Sequence, residues 1–369
     1  MIDEFVLEKL EFEKILNQIS KYSSTESGKN HILNLFPTSD IDFITAEGIL
    51  IEEAKEILNT AGHPPIDFLS DINKSLSESR IEGAILSSNK VLEILKLART
   101  SRLVIQFLKS ELKDDSRLRE KLNILFSDKL FEHHIEKVIN EQGEVKENAS
   151  NELSRIKKDI NSRRNELVKS INRIIKTLKD DDIVREDYLT LRDGRMVIPI
   201  KSEHKRHIRG FIHSESATGQ TVYIEPEETL DLNNDIISLS FAERREIERI
   251  LKELTKMIGQ SSEQLKTSLV TIAYIDSIFA RAKYSIEIIG SFPKVDSTKP
   301  IFISEARHPI LLKKLSRQKT VPLSFELNND KVVIITGPNA GGKTVVLKTI
   351  GILSIMFQAG IHIPANSNS

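Results

Sequence analysis

The stretch Lys331-Val-Val-Ile-Ile-Thr-Gly-Pro-Asn-Ala-Gly-Gly-Lys-Thr344 constrains this chain more than any other. It reads Gly337, four residues, Gly342, Lys343, Thr344, which is the spacing of a phosphate-binding loop. Val332 to Ile335 form an apolar, β-branched run that predicts a strand. After Thr344 the spacing turns helical, through Val346, Leu347, Ile350, Leu353, Met356 and Phe357. A glycine-rich turn between strand and helix directs successive backbone N–H groups at phosphate oxygens, and the positive end of the helix points at the same anion. The expected lining is Gly337, Pro338, Asn339, Ala340, Gly341, Gly342, Lys343 and Thr344. Lys343 brings a point charge to the β/γ-phosphates and Thr344 a hydroxyl to Mg²⁺, so ATP and Mg²⁺ are the expected cofactors.

A chain of 369 residues exceeds one ordinary core and predicts two or three domains. Its 53 basic and 54 acidic residues cancel, so only local asymmetry can speak of partners. The absence of cysteine excludes disulfides, thiol chemistry and thiolate zinc sites. The acidic start, Met1-Ile-Asp-Glu-Phe5, lacks a signal-peptide pattern, and no apolar run reaches membrane-spanning length. A soluble cytoplasmic protein without a membrane partner is the expectation.

Proline maps the architecture. All eleven prolines lie outside the windows Ile66–Ile198 and Glu227–Phe292, and both windows carry helical periodicity. Residues 1–148 predict a helical core, in which a helix capped at Ser87-Ser88-Asn89 buries Val91, Leu95, Leu103 and Leu108. Over 149–182 an apolar seam runs through Leu153, Ile156, Ile160, Leu167, Ile171, Ile174 and Leu178, with one step of seven at Arg163–Arg164. A second seam, within 227–289, runs through Leu232, Ile236, Leu239, Ile247, Ile250, Leu254 and Met257. Each arm would be roughly 45 Å long, and the simplest arrangement pairs them antiparallel as a coiled-coil lever.

Between the arms, residues 183–226 read as β structure. Tyr188–Arg192 and Arg195–Ile200 flank the hairpin dipeptide Asp193-Gly194, and His207–His213 and Thr221–Glu225 flank a Ser/Thr/Gly loop. Arg192, Arg195, Lys201, Lys205, Arg206 and Arg209 oppose only Asp193 and Glu203 there, a balance that suits a nucleic-acid backbone. His204, His207 and His213 accompany them without metal-ligand spacing. A Gly/Pro/Ser-rich linker occupies 290–300, and Ile301–Ile303 opens the last domain, 301–369. The loop Glu305-Ala-Arg-His-Pro-Ile310 precedes the phosphate loop and is a candidate for its pocket.

Gly-Pro-Asn-Ala-Gly-Gly-Lys-Thr (337–344), with Ala-Arg-His-Pro (306–309) before it and Val-Val-Leu-Lys-Thr-Ile-Gly-Ile-Leu (345–353) after it, resembles the MutS family of DNA-repair ATPases. Leu191-Arg-Asp-Gly-Arg-Met-Val-Ile-Pro-Ile-Lys201, Gly219-Gln-Thr-Val-Tyr-Ile-Glu-Pro226, Leu232-Asn-Asn234 and Leu10-Glu-Phe-Glu-Lys-Ile-Leu16 are similar to its second bacterial branch, the recombination-suppressing, endonuclease-type one. The resemblance covers nearly the whole chain. It implies a mainly α multidomain protein: a helical core, a lever carrying a small β-rich clamp, and the start of an α/β P-loop (ABC-type) ATPase domain. It further implies DNA, branched or duplex, as partner and a homodimer in the complete protein. Asn339 is placed near the γ-phosphate and His308 near the nucleotide pocket.

Two departures stand out. Mismatch-sensing members wedge a Phe-x-Glu motif beside the mispaired base, whereas the one here, Phe241-Ala-Glu243, falls inside the second arm. Only 25 residues follow Thr344, and none supplies an apolar strand ending in Asp-Glu, the Walker B element, nor the signature loop or the nuclease module of the branch. The expectation is therefore an amino-terminal fragment truncated after the Walker A helix, which holds nucleotide without hydrolysing it. A nucleotide-switched module that grips structured RNA or ribosomes is the alternative.

Overall fold

The computed structural model describes residues 3–179, 183–184, 190–295, 301–327, 332–338 and 341–369. In chain order the helices before the first sheet are α1 Glu4–Lys9, α2 Phe12–Ser20, α3 Glu26–Leu33, α4 Ile41–Thr60, α5 Asn73–Glu78, α6 Ser88–Glu111, α7 Arg117–Leu122, α8 Lys129–Val138 and α9 Asn151–Lys179. Strands β1 Thr190–Arg192, β2 Arg195–Lys201, β3 Gly210–Glu215 and β4 Thr221–Pro226 follow. The 59-residue helix α10 spans Leu230–Ile288; β5 Ile301–Ala306, α11 Pro309–Leu315, β6 Leu323–Leu327 and α12 Lys343–Gln358 complete the order. No described helix is long and apolar enough to cross a membrane. The chain divides into two compact units: Met1–Arg80, Glu93–Glu132 and Ile258–Ser369 form the first, and Ile81–Leu92 with His133–Met257 the second.

The first unit has its core where four elements bring apolar stripes together. Phe12, Ile15, Leu16 and Ile19 of α2 lie on one face by their spacing and are buried with Tyr284 and Ile288 of α10, Ile303 of β5 and Ile352, Leu353 and Met356 of α12. Each such side chain stabilises the unit by roughly 1.5–3 kcal/mol. On α12 the buried face differs from the expected one: Thr349, Ile352, Leu353 and Met356 turn inward, while Leu347 is 60 % exposed. On α6 the buried row is Ile94, Ala98, Ser101, Val104 and Leu108, with Val91 and Leu95 beside it. Leu103, expected inside, falls off that spacing of three and four and faces out.

In the second unit α9 lies antiparallel to the first half of α10. Ser150 Oγ donates to Glu246 (2.7 Å), Lys157 pairs with Glu243 (2.9 Å) and Arg163 with Asp235 (3.4 Å), so the contacts climb one helix as they descend the other. The α9 seam is Leu153, Ile156, Ile160, Leu167, Ile171 and Ile175, all buried. Ile175 takes the place expected for Ile174, because both three- and four-residue steps from Ile171 fit a helix and packing chooses between them. Met257, the last residue expected on the α10 seam, is only half-buried. At the seven-residue step the helices leave a polar cleft of about 480 Å³ lined by Asp159, Ser162, Arg163, Glu166, Asp235, Ser238 and Leu239.

The sheet of this unit is antiparallel, in the order β1-β2-β4-β3. Asp193 (φ 48°) and Gly194 (φ 77°) are both left-handed, which is the two-residue hairpin turn that Asp-Gly favours. The second hairpin begins three residues later than expected, at Gly210, where pairing with Pro226 of β4 starts. Ile198 and Ile200 of β2 and Val222 and Ile224 of β4 alternate onto the face that packs against Leu167, Ile171 and Ile175 of α9 and Ile236 of α10.

Candidate functional site

In the first unit, the residues with phosphate-loop spacing lead directly into α12. Gly342 caps the helix at φ 82° and Gly337 sits at φ 151°, and a Cβ at either would meet nothing within 4 Å. These glycines serve backbone conformation, not space. Lys343 Nζ donates to the Gly337 carbonyl (2.6 Å), folding its side chain back along the loop, and Gly341 N–H donates to Pro338 O (3.0 Å). Thr344 is exposed in the first helical turn. Asn339 and Ala340 lie outside the described residues.

The strand expected at Val332–Ile335 is not formed. Those residues run without a strand partner among the described residues, since β5 and β6 pair with each other. Val332 is 77 % and Ile334 80 % exposed. A strand exists by pairing, and β-branched composition alone supplies no partner.

His308 caps α11 through its backbone and is buried. Burial lowers its pKa, Glu11 opposes that and Lys348 adds to it. Glu11 and Lys348 are 3.7 Å apart, so His308 sits beside the second turn of α12, and its Nδ1 has no hydrogen-bond partner.

In the second unit, the six basic residues proposed for nucleic acid fall into distinct settings. Arg192 stacks over Tyr223, 4.1 Å from the ring centre. Arg195 is engaged within the protein: its Nη1 meets Glu225 (2.7 Å) and its Nη2 meets Asn234 (2.7 Å). Lys201 ends β2, half-buried, with its N–H donating to Ile183 O (3.1 Å). Lys205, Arg206 and Arg209 are exposed in the turn between β2 and β3.

Several residues around them stood in the sequence motifs without a role of their own. Glu225 is 1 % exposed and accepts from both Arg195 and His213, the latter at 2.6 Å. His213 reaches it because a bulge between Ile212 and Ser214 turns the ring toward β4. Asn233 and Asn234, in the first turn of α10, bond respectively to the Met196 backbone and to Arg195. The Asn-Asn pair was visible in the sequence, but its partners lie about forty residues away in β2.

These features define a mainly helical protein with a small antiparallel sheet bearing a basic turn, and a glycine loop that starts a helix. No protein-family model matches the chain. It is similar over its full length to proteins named endonuclease MutS2. That of Halothermothrix orenii is 34% identical over 377 residues, covering 100% of this chain and 47% of that relative. Those of Alkaliphilus oremlandii (33% over 368 residues, 99% and 46%) and a Geobacillus species (35% over 371 residues, 99% and 46%) are alike in extent. The chain thus spans about half the length of the relatives it matches, and the similarity supports the MutS2 family.

Proposed function

We propose that this chain is a MutS2-type protein that binds ATP with Mg²⁺ at 337–344 and DNA at the sheet of its second unit, in DNA repair or the suppression of recombination. The observation that carries the reading is Gly342 in the left-handed conformation starting a 16-residue helix with Lys343 folded onto the Gly337 carbonyl. A triphosphate draws the Lys343 ammonium off that carbonyl, and the N–H groups of the first turn of α12 receive the phosphate oxygens. Thr344 is the Mg²⁺ ligand in this reading. Arg192, Lys201, Lys205, Arg206 and Arg209 meet the DNA backbone, and Arg195 holds Glu225 while presenting its edge to the same face. In this reading nucleotide state controls the grip of the sheet, and the nuclease named in the relatives belongs to those whole proteins.

Calorimetric titration of Mg·ATP into the chain and into Lys343→Ala tests the loop. The substitution is expected to weaken binding at least tenfold, about 1.4 kcal/mol. Equal affinity of the two proteins sinks the assignment. Gel retardation with branched DNA, duplex DNA and structured RNA tests the sheet, and a preference for RNA would favour the alternative of an RNA-gripping module.

A further inference from the structure

Five non-glycine residues among those described have φ in the left-handed region: Glu11, Asp193, Ile289, Glu305 and Ser316. Three of them surround one place in the first unit. Ile289 ends α10 at φ 50°, Glu305 sits in the bulge of β5 at φ 54°, and Ser316 ends α11 at φ 76°, ψ 161°. Each occupies a position that glycine fills at least strain, and Ile289 is β-branched, the least suited type. Such outliers persist where the surroundings force them, and they gather at functional sites.

What they surround is a pair of arginines. Arg307 Nε donates to Thr320 O and its Nη1 to Glu305 O, both at 3.3 Å. Arg317 follows Ser316 directly, and its Nη1 donates to Ile288 O at 3.4 Å. Thr320 Oγ1 closes the intervening turn on Ser316 O (2.8 Å). Both guanidiniums are therefore aimed by backbone carbonyls, and among the described residues neither meets a carboxylate. Arg102, Arg249 and Arg281 differ, each having a glutamate within 2.7 Å. Burial and the charge of Arg307 both lower the pKa of Arg317, which places the two cations within electrostatic reach. Lys314 and Lys319, both exposed, flank them. Two like charges held together and half-desolvated are unfavourable until an anion joins them.

We propose that Arg307 and Arg317 form an oxyanion site that takes a phosphate group, separate in sequence from the loop at 337–344. The bonds to carbonyls leave Arg307 Nη2 and Arg317 Nε and Nη2 to donate, and guanidinium forks match phosphate oxygens in pairs. The phosphate belongs to a free nucleotide or to a nucleic-acid backbone, and the chemistry of recognition is the same for both.

The test uses the 369-residue chain carrying Lys343→Ala, so that the glycine loop contributes little. Inorganic phosphate is titrated by calorimetry and by thermal shift into this protein and into the same protein with Arg317→Gln or Arg317→Lys. The site predicts saturable phosphate binding that raises the melting temperature, a loss of roughly tenfold or more in affinity with Arg317→Gln, and a smaller loss with Arg317→Lys, which keeps the charge but not the fork. In phosphate-free, low-salt buffer Arg317→Gln should melt no lower than its parent, because removing one of two like charges relieves repulsion. A purely structural arginine would lower the melting temperature and leave the phosphate response intact. That outcome, or no phosphate binding to the Lys343→Ala protein, overturns the proposal. Displacement of phosphate by ATP assigns the site to free nucleotide, and displacement by a short duplex assigns it to nucleic acid.

Discussion

Asn233 acts as a substitute strand. Its side-chain amide accepts from Met196 N–H (3.1 Å) and donates to Met196 O (3.2 Å), which is the pairing a neighbouring backbone would give β2 at that point. The residue is 2 % exposed, so water cannot replace either bond. Asn233→Ala should cost about 2 kcal/mol or more, since it leaves a buried donor and a buried acceptor unpaired. Urea unfolding followed by tyrosine fluorescence reads this directly, the chain having no tryptophan. A loss under about 0.5 kcal/mol would show that Met196 finds other partners. Asn234 works beside it by fixing Arg195, which in turn neutralises the buried Glu225. Composition marked Arg195 only as one cation among six; its engagement depends on an acid thirty residues away and could not be read locally.

At the scale of elements, the two ends of α12 are held differently. Its beginning is a loop that bonds mostly to itself, whereas its end is fixed to α4 and α10. Ile361 N–H donates to Met356 O (2.8 Å) and Gly360 N–H to Phe357 O (2.9 Å), a Schellman cap whose left-handed residue is Gly360 at φ 65°. A Cβ there would lie 2.6 Å from that of Glu47, which is paired with the fully buried Arg281 at 2.6 Å. Burial alone would raise the pKa of Glu47; Arg281 and the Tyr274 hydroxyl bring it below the ordinary value. Gly360→Ala is therefore expected to cost about 1–3 kcal/mol from backbone strain, with the close approach to Glu47 adding to it. A thermal melt unchanged from wild type would count against the cap.

Two residues on, His362 Nε2 donates to Gly48 O (3.1 Å) and its Nδ1 accepts from Ser285 Oγ (2.9 Å). Burial depresses its pKa from 6.5 to about 4, the bond to Gly48 opposing. The unfolded chain thus binds a proton that the folded chain refuses, and stability falls as pH drops from about 6.5 to about 4. The loss is on the order of 3 kcal/mol. His362→Gln should flatten that limb of a plot of melting temperature against pH, and an unaltered acid limb would assign the proton elsewhere. Helices α9 and α10 and the Asp193-Gly194 turn were legible in sequence because periodicity and turn chemistry are local. The strand at Val332–Ile335 was misread because a strand needs a neighbour, and none of the described residues provides one.

Across the molecule, the basic turn at Lys205, Arg206 and Arg209 sets an electrostatic expectation for DNA. Replacing all three with glutamine should reduce the slope of log affinity against log salt by roughly two to three, since each phosphate contact on duplex releases about 0.9 counterion. Retardation gels across a salt series measure it, and an unchanged slope would move the interface to another surface. The substitutions should leave stability near wild type, as all three side chains are exposed. Within the first unit Asp276 ties distant stretches of chain together: it accepts from Ser23 Oγ, Ser24 N–H, Thr25 N–H and Thr25 Oγ1, residues some 250 positions away.

That discontinuity sets a timetable for synthesis. A ribosome that has extruded Met257 has delivered every residue of the second unit, while the first still lacks nearly half of its own, Ile258–Ser369. The apolar faces of α2 and α3 must wait, unsatisfied, until the far end of α10 and the helix after the glycine loop emerge. Of the two units, the one whose residues emerge first thus closes after the other, and a nascent chain halted near Met257 would pair one finished body with helices still in need of a chaperone.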